Sequence, residues 1–497
     1  MRFQRASTGE PLHLDAQRVL GAGGEARIFE VPHHDDLAVK IWHKPTPERS
    51  RKLRVMVANP PSDPTAVQHH ASIAWPLDLV FAPGPARQPV GFVMPRVKGM
   101  RPVGEFASPK SRRDRCPLFN YFYLHRTARN LAIAVRALHE RGYVIGDLNE
   151  SNVLVAETAL VTLVDTDSFQ VWDAEAGVMY RCRVGKPEYT PPELQGKSFA
   201  QVDRDPVHDR FGLGVLIFQL LLEGTHPFAG VYLGRGEPPP LEQRIAAGHF
   251  PYATGKGLAY GPKPTAPAFE LLSPGLRDLV LRCFQDGYFR PALRPEPQSW
   301  QYMLEEAESH LVSCHWNNQH VYGDHLDACP WCERTQLLGG RDPFPSHEAV
   351  GRGDHKAPPP RAPAPAIDPP KGGPRRRQPA QSAFPAGIPN LPAPPAIPPS
   401  GSRTRVGGRR VRPLLGDWND WAWISVTLAA LSFAAAAGFH WQTNPLTFLG
   451  GIFALLTGIL GEGKSHSREV DGRGRWVART GMLGGLLCLA WALKSSL

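Results

Sequence analysis

The sequence lacks the cysteine pattern of a disulfide-stabilised protein. Its 497 residues include only seven cysteines, whereas a small secreted scaffold would space an even set of cysteines along a short chain. A reducing compartment is therefore the expected setting. Four of the cysteines stand alone in the sequence and are predicted to be packing residues; they are Cys116, Cys182, Cys283 and Cys488.

The chain also lacks an apolar run at its N-terminus, an internal repeat and an even spread of charge. Residues 1–5 contain no apolar run, so no cleavable signal peptide is expected. Lysine and arginine exceed the acids by ten, but the excess is concentrated at 375–377 and 403–412. This placement argues against a broad nucleic-acid-binding face and favours a linker or juxtamembrane role, so no direct nucleic-acid partner is expected.

Composition divides the chain into four zones. Residues 12–310 have globular composition with alternating strand-like and helix-like patterns, and 311–334 are dense in cysteine and histidine. Residues 335–412 are rich in proline, alanine, glycine and arginine. They are predicted to be a disordered linker because they cannot bury enough apolar surface to offset their ordering entropy. Residues 421–493 are largely apolar.

Three apolar runs in the last zone, 421–439, 446–461 and 476–493, predict transmembrane helices. The first has 19 residues without a charge, and at about 1.5 Å per residue it nearly spans a hydrocarbon core of roughly 30 Å. A buried helical hairpin of a soluble domain is the alternative. Basic residues precede the first run and separate the second from the third. This predicts a multi-pass protein of the inner (plasma) membrane whose N-terminal domain is cytoplasmic.

Two short acidic motifs carry the chemistry of the globular zone. Asp147 and Asn152 stand five residues apart, after a predicted helix over 121–141, and Asp165 ends a later apolar stretch. Phosphoryl transfer from ATP needs an acid to orient the attacking hydroxyl, and an amide and a second carboxylate on Mg²⁺. Each residue could separately be a polar turn residue, but their order and flanking strands together favour a phosphoryl-transfer site.

A glycine cluster precedes an Ala-Val-Lys strand near the N-terminus. Glycines let the backbone come close to phosphates, and a lysine on a later strand can neutralise phosphate charge. A glycine cluster alone more often marks only a tight hairpin. Lys40, 17 residues after Gly23, makes the phosphate interpretation stronger. The loop residues predicted to line a nucleotide site are Gly21, Gly23, Gly24 and Ala26.

Taken in order, these motifs resemble those of protein kinases over roughly residues 14–310. The resemblance is greatest to a bacterial group of Ser/Thr protein kinase-like proteins, some of which carry helix-hairpin-helix modules; the sequence shows no such module. It implies an α+β, bilobal protein kinase-like fold and ATP with Mg²⁺ (or Mn²⁺) as cofactors. It also implies that Asp147 is catalytic, that Lys40 contacts the α- and β-phosphates, and that Asn152 and Asp165 bind the metal ion.

The resemblance assigns further residues along the chain. Glu48, the only acid of a predicted helix over 46–58, is the candidate partner of Lys40, although a solvated first-turn glutamate is an equal alternative. The strand over 91–97 would lead into the hinge, where Met94 and Arg96 would hold adenine. Residues 185–194 resemble the end of an activation segment, and 209–215 resemble the start of the helix that anchors the catalytic loop. The resemblance also implies a buried ion pair between Glu193 and Arg294.

Four positions depart from the kinase pattern. Gly146 precedes Asp147 where kinases have an arginine, so a phosphorylated activation segment has no arginine clamp there. Asn149 replaces a lysine that contacts the γ-phosphate. Lys186 replaces a threonine and is predicted to reach the site and restore the missing charge. Asp167 replaces a glycine. Its carboxylate could be a third acid near the metal ion, or it could cap a turn, and the sequence leaves both roles open.

A cluster of cysteine and histidine follows the kinase-like zone. Cys314, His320, Cys329 and Cys332 form a C-x₅-H-x₈-C-x₂-C pattern. The C-x₂-C spacing lets both sulfurs meet one tetrahedral ion, and four ligands without an open position imply a structural Zn²⁺. A redox C-x-x-C motif is the competing interpretation, but it would need neither the upstream cysteine nor the histidine.

The sequence thus predicts a membrane-tethered protein serine/threonine kinase that transfers the γ-phosphate of ATP to a hydroxyl of a protein substrate. The alternative is a pseudokinase scaffold that binds nucleotide without efficient turnover, which Asn149 and Lys186 keep open. A membrane anchor or sensor whose function lies in the spans is a third class. The family resemblance implies a PP2C-type phosphatase and a von Willebrand A-type protein as further partners.

Overall fold

The computed structural model describes residues 1–356 apart from 85–87 and 256–257, together with the backbone of Gln378–Pro379. The strands are β1 (Arg2–Arg5), β2 (Pro11–His13), β3 (Val19–Ala22), β4 (Ala26–Val31), β5 (His34–Trp42), β6 (Asp78–Phe81), β7 (Pro89–Pro95), β8 (Arg101–Pro102), β9 (Val153–Val155), β10 (Val161–Leu163), β11 (Val171–Asp173), β12 (Val178–Tyr180), β13 (Val231–Tyr232), β14 (Tyr260–Gly261), β15 (Leu311–Ser313), β16 (Val321–Gly323) and β17 (Gln378–Pro379). The helices are α1 (Pro47–Ala58), α2 (Val103–Ala107), α3 (Pro109–Arg115), α4 (Tyr121–Glu140), α5 (Pro206–Leu221), α6 (Leu241–Ala246), α7 (Pro274–Leu281), α8 (Gly287–Phe289), α9 (Pro297–Ser309), α10 (Pro330–Leu337) and α11 (His347–Arg352).

Seven strands form one antiparallel sheet in the N-terminal part of the chain, in the order β2-β1-β6-β7-β5-β4-β3. Strands β3, β4 and β5 carry the glycine cluster and the Ala-Val-Lys strand that the sequence singles out. Strands β1 and β2 extend the sheet beyond it, so the folded region begins at Arg2 rather than at residue 12. One face of the sheet buries an apolar cluster formed by Leu12, Leu14, Phe29, Val31, Val39, Val80 and Val93.

Helix α1 begins where the sequence predicts it. The side chain of Thr46 accepts a hydrogen bond from the backbone N–H of Arg49 at 3.2 Å, and Pro47 takes the first helical position, where a missing N–H costs nothing. Leu53 and Met56 are buried in a core shared with residues of the sheet. Leu53 and Met56 also line the cleft described below, together with Lys52.

The next part of the chain is mainly helical and is built around α4 and α5. The side chain of Asn120 caps α4 by accepting from the N–H of Phe122 at 3.1 Å, and the helix ends at Glu140. Gly142, with φ of +83°, makes the reversal into the catalytic loop. Asp205 caps α5 in the same way through the N–H of Val207 at 2.8 Å. Both helices are largely buried, so they give the loop between them a rigid base.

The cysteine- and histidine-rich segment packs against this helical part. The ring of Trp331 is 1% exposed and lies 4.9 Å from the ring of Tyr121 on α4 and 4.6 Å from that of Phe344, measured between centroids. Arg334 of α10 forms an ion pair with Glu223. Helix α11 falls inside the range predicted to be a disordered linker, so that prediction is wrong for this part of the range.

The predicted membrane spans lie outside the described residues. Within residues 1–356, with the two short gaps noted above, no helix is both long and apolar enough to cross a membrane.

Candidate active site and candidate metal centre

A cleft of about 990 Å³ lies between the sheet and the segments that follow α4. Such a volume suits a ligand of nucleotide size. The cleft brings together residues that are far apart in sequence and that the sequence assigns to phosphoryl transfer. Among the residues that line it are Gly21, Gly23, Gly24, Ala26, Lys40, Trp42, Glu48, Lys52, Asp147, Asp165 and Asp167.

Asp147 is held in place by two amides of its own loop. Asn149 Nδ2 donates to Asp147 Oδ1 at 2.8 Å, and Asn152 Nδ2 donates to Asp147 Oδ2 at 3.1 Å. Both amides also donate to the backbone carbonyl of Asp147, at 3.0 and 2.9 Å. Because the nitrogen of Asn152 serves Asp147, its amide oxygen is the atom that can ligate a metal ion. The loop thus presents an oriented carboxylate beside a potential metal ligand.

A buried aspartate on α5 anchors the same loop. Asp209 accepts from the backbone N–H groups of Ile145 and Gly146 at 2.7 and 2.8 Å. His139 Nε2 lies 3.0 Å from the Asp209 carboxylate. This is the anchoring expected from the resemblance of residues 209–215, and it fixes the backbone immediately before Asp147.

The ammonium of Lys40 lies between two carboxylates. Lys40 Nζ donates to Asp165 Oδ1 at 2.6 Å and to Asp167 Oδ1 at 2.5 Å. The second oxygen of Asp167 accepts from Trp42 Nε1 at 3.0 Å. Since Lys40 and Trp42 occupy both of its oxygens, Asp167 is a counter-ion for Lys40. Of the two alternatives for Asp167, the turn cap is not what these contacts show, and a third carboxylate near the metal ion stays a prediction.

Charge pairing sets the protonation states in this group. Burial by itself would lower the pKa of Lys40, but the carboxylates of Asp167 and Asp165 outweigh burial and raise that pKa above its ordinary value. Burial would raise the pKa of Asp167, and the charge of Lys40 reverses this, so the pKa is lowered. Lys40 is therefore protonated and Asp167 ionised at neutral pH.

Glu48 is not the partner of Lys40, contrary to the prediction. Its carboxylate accepts from Arg183 Nη2 at 2.8 and 3.0 Å, and both side chains are exposed to solvent. One turn further along α1, Lys52 is 9% exposed and its Nζ donates to the backbone carbonyl of Asp167 at 2.7 Å. The helix thus places a lysine, rather than a glutamate, at its buried turn beside the cleft.

The predicted adenine contacts are also revised. Met94 lies in β7 opposite Ala38 of β5, and the described lining of the cleft includes neither Met94 nor Arg96. The backbone N–H of Arg96 donates to the carbonyl of Asp36 at 2.7 Å, so this N–H is not free for a base. The Arg96 guanidinium pairs with Glu30 at 2.7 Å. The structure therefore does not support a nucleotide-binding role for Arg96.

Lys186 does not restore the charge that Asn149 removes. Its Nζ donates to Glu150 Oε1 at 2.8 Å and to Ser151 Oγ at 2.6 Å, and the described lining of the cleft does not include it. Asn149 is 1% exposed and serves Asp147, as shown above. The two residues thus hold the catalytic loop, Asn149 from within and Lys186 from the activation segment.

Arg204, which the sequence did not single out, fills the space left by Gly146. Gly146 has a φ of +75°, and a Cβ there would lie 2.7 Å from both Arg204 Nη1 and the Cβ of Cys182. The guanidinium donates to the carbonyl of Gly146 and, at 2.7 Å, to that of Val184. It also lies over the ring of Phe199 at 3.8 Å. The glycine was visible in the sequence, but the residue that occupies its space was not.

Glu193 and Arg294 form the predicted ion pair, which the structure confirms. Arg294 Nη1 and Nη2 donate to the two carboxylate oxygens of Glu193 at 2.5 and 2.7 Å. Burial would raise the pKa of Glu193, but Arg294 outweighs it and lowers that pKa. The pair joins the end of the activation segment to the helical part of the fold.

The four predicted zinc ligands converge on one point. Their ligand atoms all lie within 4.8 Å of one another. Cys314 Sγ is 3.7 Å from Cys332 Sγ, and His320 Nδ1 is 3.6 and 3.5 Å from the sulfurs of Cys329 and Cys332. Tetrahedral Zn²⁺, with bonds of about 2.3 Å to sulfur and 2.0–2.1 Å to nitrogen, gives ligand separations of roughly 3.5–3.8 Å. The donor set and its spacing therefore fit that ion.

Asp342 supports this centre from outside the ligand set. His320 Nε2 lies 2.8 and 3.0 Å from its two carboxylate oxygens. A carboxylate on the far nitrogen fixes the tautomer that leaves Nδ1 to bind a metal. Asp342 is in turn held by the backbone N–H of Phe344 at 2.8 Å. No sequence pattern points to Asp342, which lies in the range predicted to be a linker.

Comparisons with known proteins agree with this architecture. No family model matches the chain. It is 34% identical over 331 residues to the protein named "Protein kinase YegI" of Escherichia coli strain K12, covering 66% of this chain and 49% of that protein. The same-named protein of Escherichia coli O157:H7 is 34% identical over 320 residues, or 63% and 48%. The chain thus spans about half the length of the curated relatives it matches.

More distant similarities also concern kinases. A "Probable cAMP-dependent protein kinase catalytic subunit" of Encephalitozoon cuniculi is 32% identical over 173 residues, covering 35% of this chain and 51% of that protein. Among solved structures, the "ROP18 kinase domain in complex with AMP-PNP and sucrose" gives a TM-score of 0.40 at 18% identity, over 61% of this chain and 82% of that one. The sequence relatives and the described site together support an α+β kinase-like fold and the bacterial kinase-like family that the motifs imply.

Proposed function

We propose that the protein is a protein serine/threonine kinase that uses ATP and Mg²⁺. The observation that carries the proposal is the meeting, in one cleft, of two preorganised groups. One is Lys40 paired with Asp165, and the other is Asp147 held by Asn149 and Asn152. The relatives named as protein kinases support it.

Each side chain of the cleft has a separate task in such a transfer. Asp147 is oriented by its two amides to accept a hydrogen bond, and then the proton, from the acceptor hydroxyl. Lys40 offers its charge to the phosphates. The amide oxygen of Asn152 and the carboxylate of Asp165 are ligands that suit Mg²⁺, which when bound neutralises charge on the phosphates. Residues of the glycine loop line the same volume.

The test is transfer of label from γ-labelled ATP by the full-length protein to a generic protein substrate, followed by identification of the labelled amino acid. Asp147→Ala removes the proposed base. Asp35→Asn is the matched control because the side chain of Asp35, at the start of β5, is 98% exposed and pairs only weakly with Lys98 at 3.6 Å. The proposal expects phosphoserine or phosphothreonine with the wild type and with the control, and none with Asp147→Ala.

A nucleotide-binding scaffold is the second candidate, and one observation favours it. Two side chains were candidates to contact a γ-phosphate, the amide of Asn149 and the ammonium of Lys186. Both already have partners, because Asn149 donates to Asp147 and Lys186 donates to Glu150. A scaffold would bind Mg²⁺ and ATP and show label transfer no greater than Asp147→Ala. The same experiment therefore separates the two functions.

The cysteine and histidine centre is proposed to hold a structural Zn²⁺. Its support is the ligand spacing and the carboxylate on His320 described above. All four protein ligands are supplied by the chain, so no coordination position is left for a reacting water. Elemental analysis of protein purified without chelators should find about one zinc per chain.

The membrane attachment and the partners complete the proposal. The membrane attachment is supported by the run of uncharged residues at 421–439 and by the basic segments that precede the first apolar run and separate the second from the third. We propose that the runs tether a cytoplasmic kinase domain to the inner membrane, and that a PP2C-type phosphatase and a von Willebrand A-type protein act with it. Sedimentation with membranes that resists alkaline carbonate, with residues 1–356 accessible to protease from the cytoplasmic side only, tests the first part.

A further inference from the structure

Helix α1 carries a lysine where protein kinases carry a glutamate, and the Asp-Thr-Asp segment carries an additional acid. Activity in that class depends on an ion pair between the strand lysine and a glutamate of the helix that follows it. Here the charged residue that α1 buries beside the cleft is Lys52, and its ammonium donates to the backbone carbonyl of Asp167 at 2.7 Å. The acid that meets the strand lysine is Asp167 itself, at 2.5 Å from Lys40 Nζ.

The two cations and two acids of this group balance one another. Lys40 and Lys52 supply two positive charges, and Asp165 and Asp167 supply two negative charges. The side chain of Asp167 is 13% exposed and that of Asp165 is 42% exposed. Because Asp167 is enclosed and held by Trp42 as well, it is the fixed member. Asp165, with its open side, can turn to a metal ion while Asp167 keeps Lys40 in place.

We propose that Asp167 and Lys52 are positioning residues that together replace the lysine–glutamate pair. Asp167 orients Lys40, and Lys52 ties α1 to the same three-residue segment that carries Asp165. The position of Lys40 is then set by that segment and does not depend on a side chain of α1. This inference rests on the proposed phosphoryl transfer for its activity readout, but the coupling between the two residues can be measured without it.

The test is a charge exchange in the full-length protein. Asp167→Asn removes the counter-charge of Lys40, and Lys52→Glu places an acid beside Asp167, so each change alone should lower kcat about tenfold or more. The double variant Lys52→Glu/Asp167→Asn restores one acid on the helix facing Lys40. It should therefore regain about tenfold over the weaker single variant, which a purely structural role for either residue would not produce.

Two control variants and a second measurement accompany this test. Asp35→Asn and Lys197→Met change exposed side chains outside the cleft and should match the wild type. The wild type, the two single variants and the double variant are also unfolded with denaturant in the absence of nucleotide. The two substitutions should be non-additive in the free energy of unfolding because the residues are in contact.

The outcomes distinguish this inference from the proposed function. If the wild type transfers no phosphate but the two substitutions are non-additive in the free energy of unfolding, the proposed function is overturned. The inference that Asp167 and Lys52 replace the lysine–glutamate pair is then still supported. Full activity in Asp167→Asn, or a double variant whose losses in kcat and in stability are the sums of the single losses, would overturn that inference.

Discussion

Arg204 donates a hydrogen bond to the carbonyl oxygen of Gly146, the residue that precedes Asp147. From the other terminal nitrogen it donates to the carbonyl oxygen of Val184 at 2.7 Å. One guanidinium thus ties the catalytic loop to the activation segment. The catalytic loop has Gly146 in place of an arginine before Asp147, and the cation that contacts the loop, Arg204, comes from a later part of the chain. Its partners are backbone carbonyls, so the connection exists without a phosphate on the activation segment.

Replacing Arg204 should impair phosphate transfer as well as stability. Arg204→Met keeps an apolar side chain over Phe199 but leaves two carbonyl oxygens without their donor, at a cost of about 1–3 kcal/mol each where they stay buried. We expect the initial rate of phosphate transfer to fall at least tenfold. Arg235→Met, at an exposed position, is the control. A rate equal to that of the control would show that the connection has no role in the catalytic loop.

The two acids of the cleft should fail in different ways. Asp165→Asn removes the proposed metal-binding carboxylate, so nucleotide affinity should lose its dependence on Mg²⁺. Asp147→Asn should retain that affinity and lose turnover, since the residue acts on the acceptor hydroxyl. Isothermal titration with ATP, with and without Mg²⁺, measures the first property. Equal losses of affinity in both variants would indicate that these acids only hold the fold.

Removal of zinc should destabilise the kinase-like fold as a whole. In the sequence, Trp331 stands between the ligands Cys329 and Cys332. Its ring packs against Tyr121 of α4. The metal centre and the helix before the catalytic loop therefore share one core. We expect chelation to lower the melting temperature of the main transition. An unchanged main transition after complete zinc loss would show that the centre folds independently.

Asp342 offers a milder way to probe the same centre. Asp342→Asn removes no ligand, but it weakens the hold on the His320 tautomer and should reduce zinc affinity by about 10–100-fold. Competition with a chromogenic chelator measures this affinity. Asp354→Asn, which changes an exposed acid paired with Arg352, should have no effect. Equal zinc affinities in the two variants would show that Asp342 does not support zinc binding through His320.

Two buried histidines should make stability depend on pH. Burial lowers the pKa of His125 and of His226 to about 4, from an ordinary value of 6.5. Between these values the unfolded chain binds protons that the folded chain does not, so the free energy of unfolding is fully present above pH 6.5 and falls as the pH drops toward 4. Urea unfolding across this range measures the slope.

A substitution separates these histidines from the carboxylates that also titrate in acid. His226 Nε2 lies 2.9 Å from the carbonyl of Glu188, and His226→Gln keeps a donor without a titrating ring. The variant should show a shallower fall of stability between pH 6.5 and 4 than the wild type, starting from a similar value or a slightly lower one. An identical slope would contradict a neutral buried imidazole at this position.

Local signals in the sequence located much of the fold and of the cleft. The apolar stripe over 121–141 corresponds to α4, and Thr46-Pro47 marks the start of α1, because caps and periodicity act within a few residues. The spacing between Asp147 and Asn152 likewise depends on one loop. The cysteine and histidine pattern converges for the same reason, since a C-x₂-C turn sets two ligands by itself.

Signals that depend on packing were missed. Their four-residue spacing places Glu48 and Lys52 on the same side of α1. Only the packing of the helix in the fold shows that Lys52 is buried and Glu48 is exposed. Arg204 and Asp342 act on residues far from them in sequence, at distances that no local pattern encodes. Strands β1 and β2 are short and carry little apolar alternation, so they are recognised only through their pairing in the sheet.

The most direct test of the account is the time course of γ-phosphate transfer by full-length protein that has first been dephosphorylated, with loss of phosphate checked by mass. The activation segment is already tied down by Arg204, and Thr190 is 7% exposed with its hydroxyl bound to the carbonyl of Lys186 at 2.8 Å. The account predicts transfer that is linear from the first seconds and absent in Asp147→Asn. No transfer above Asp147→Asn, or a lag that ends as Thr190 becomes phosphorylated, would contradict it.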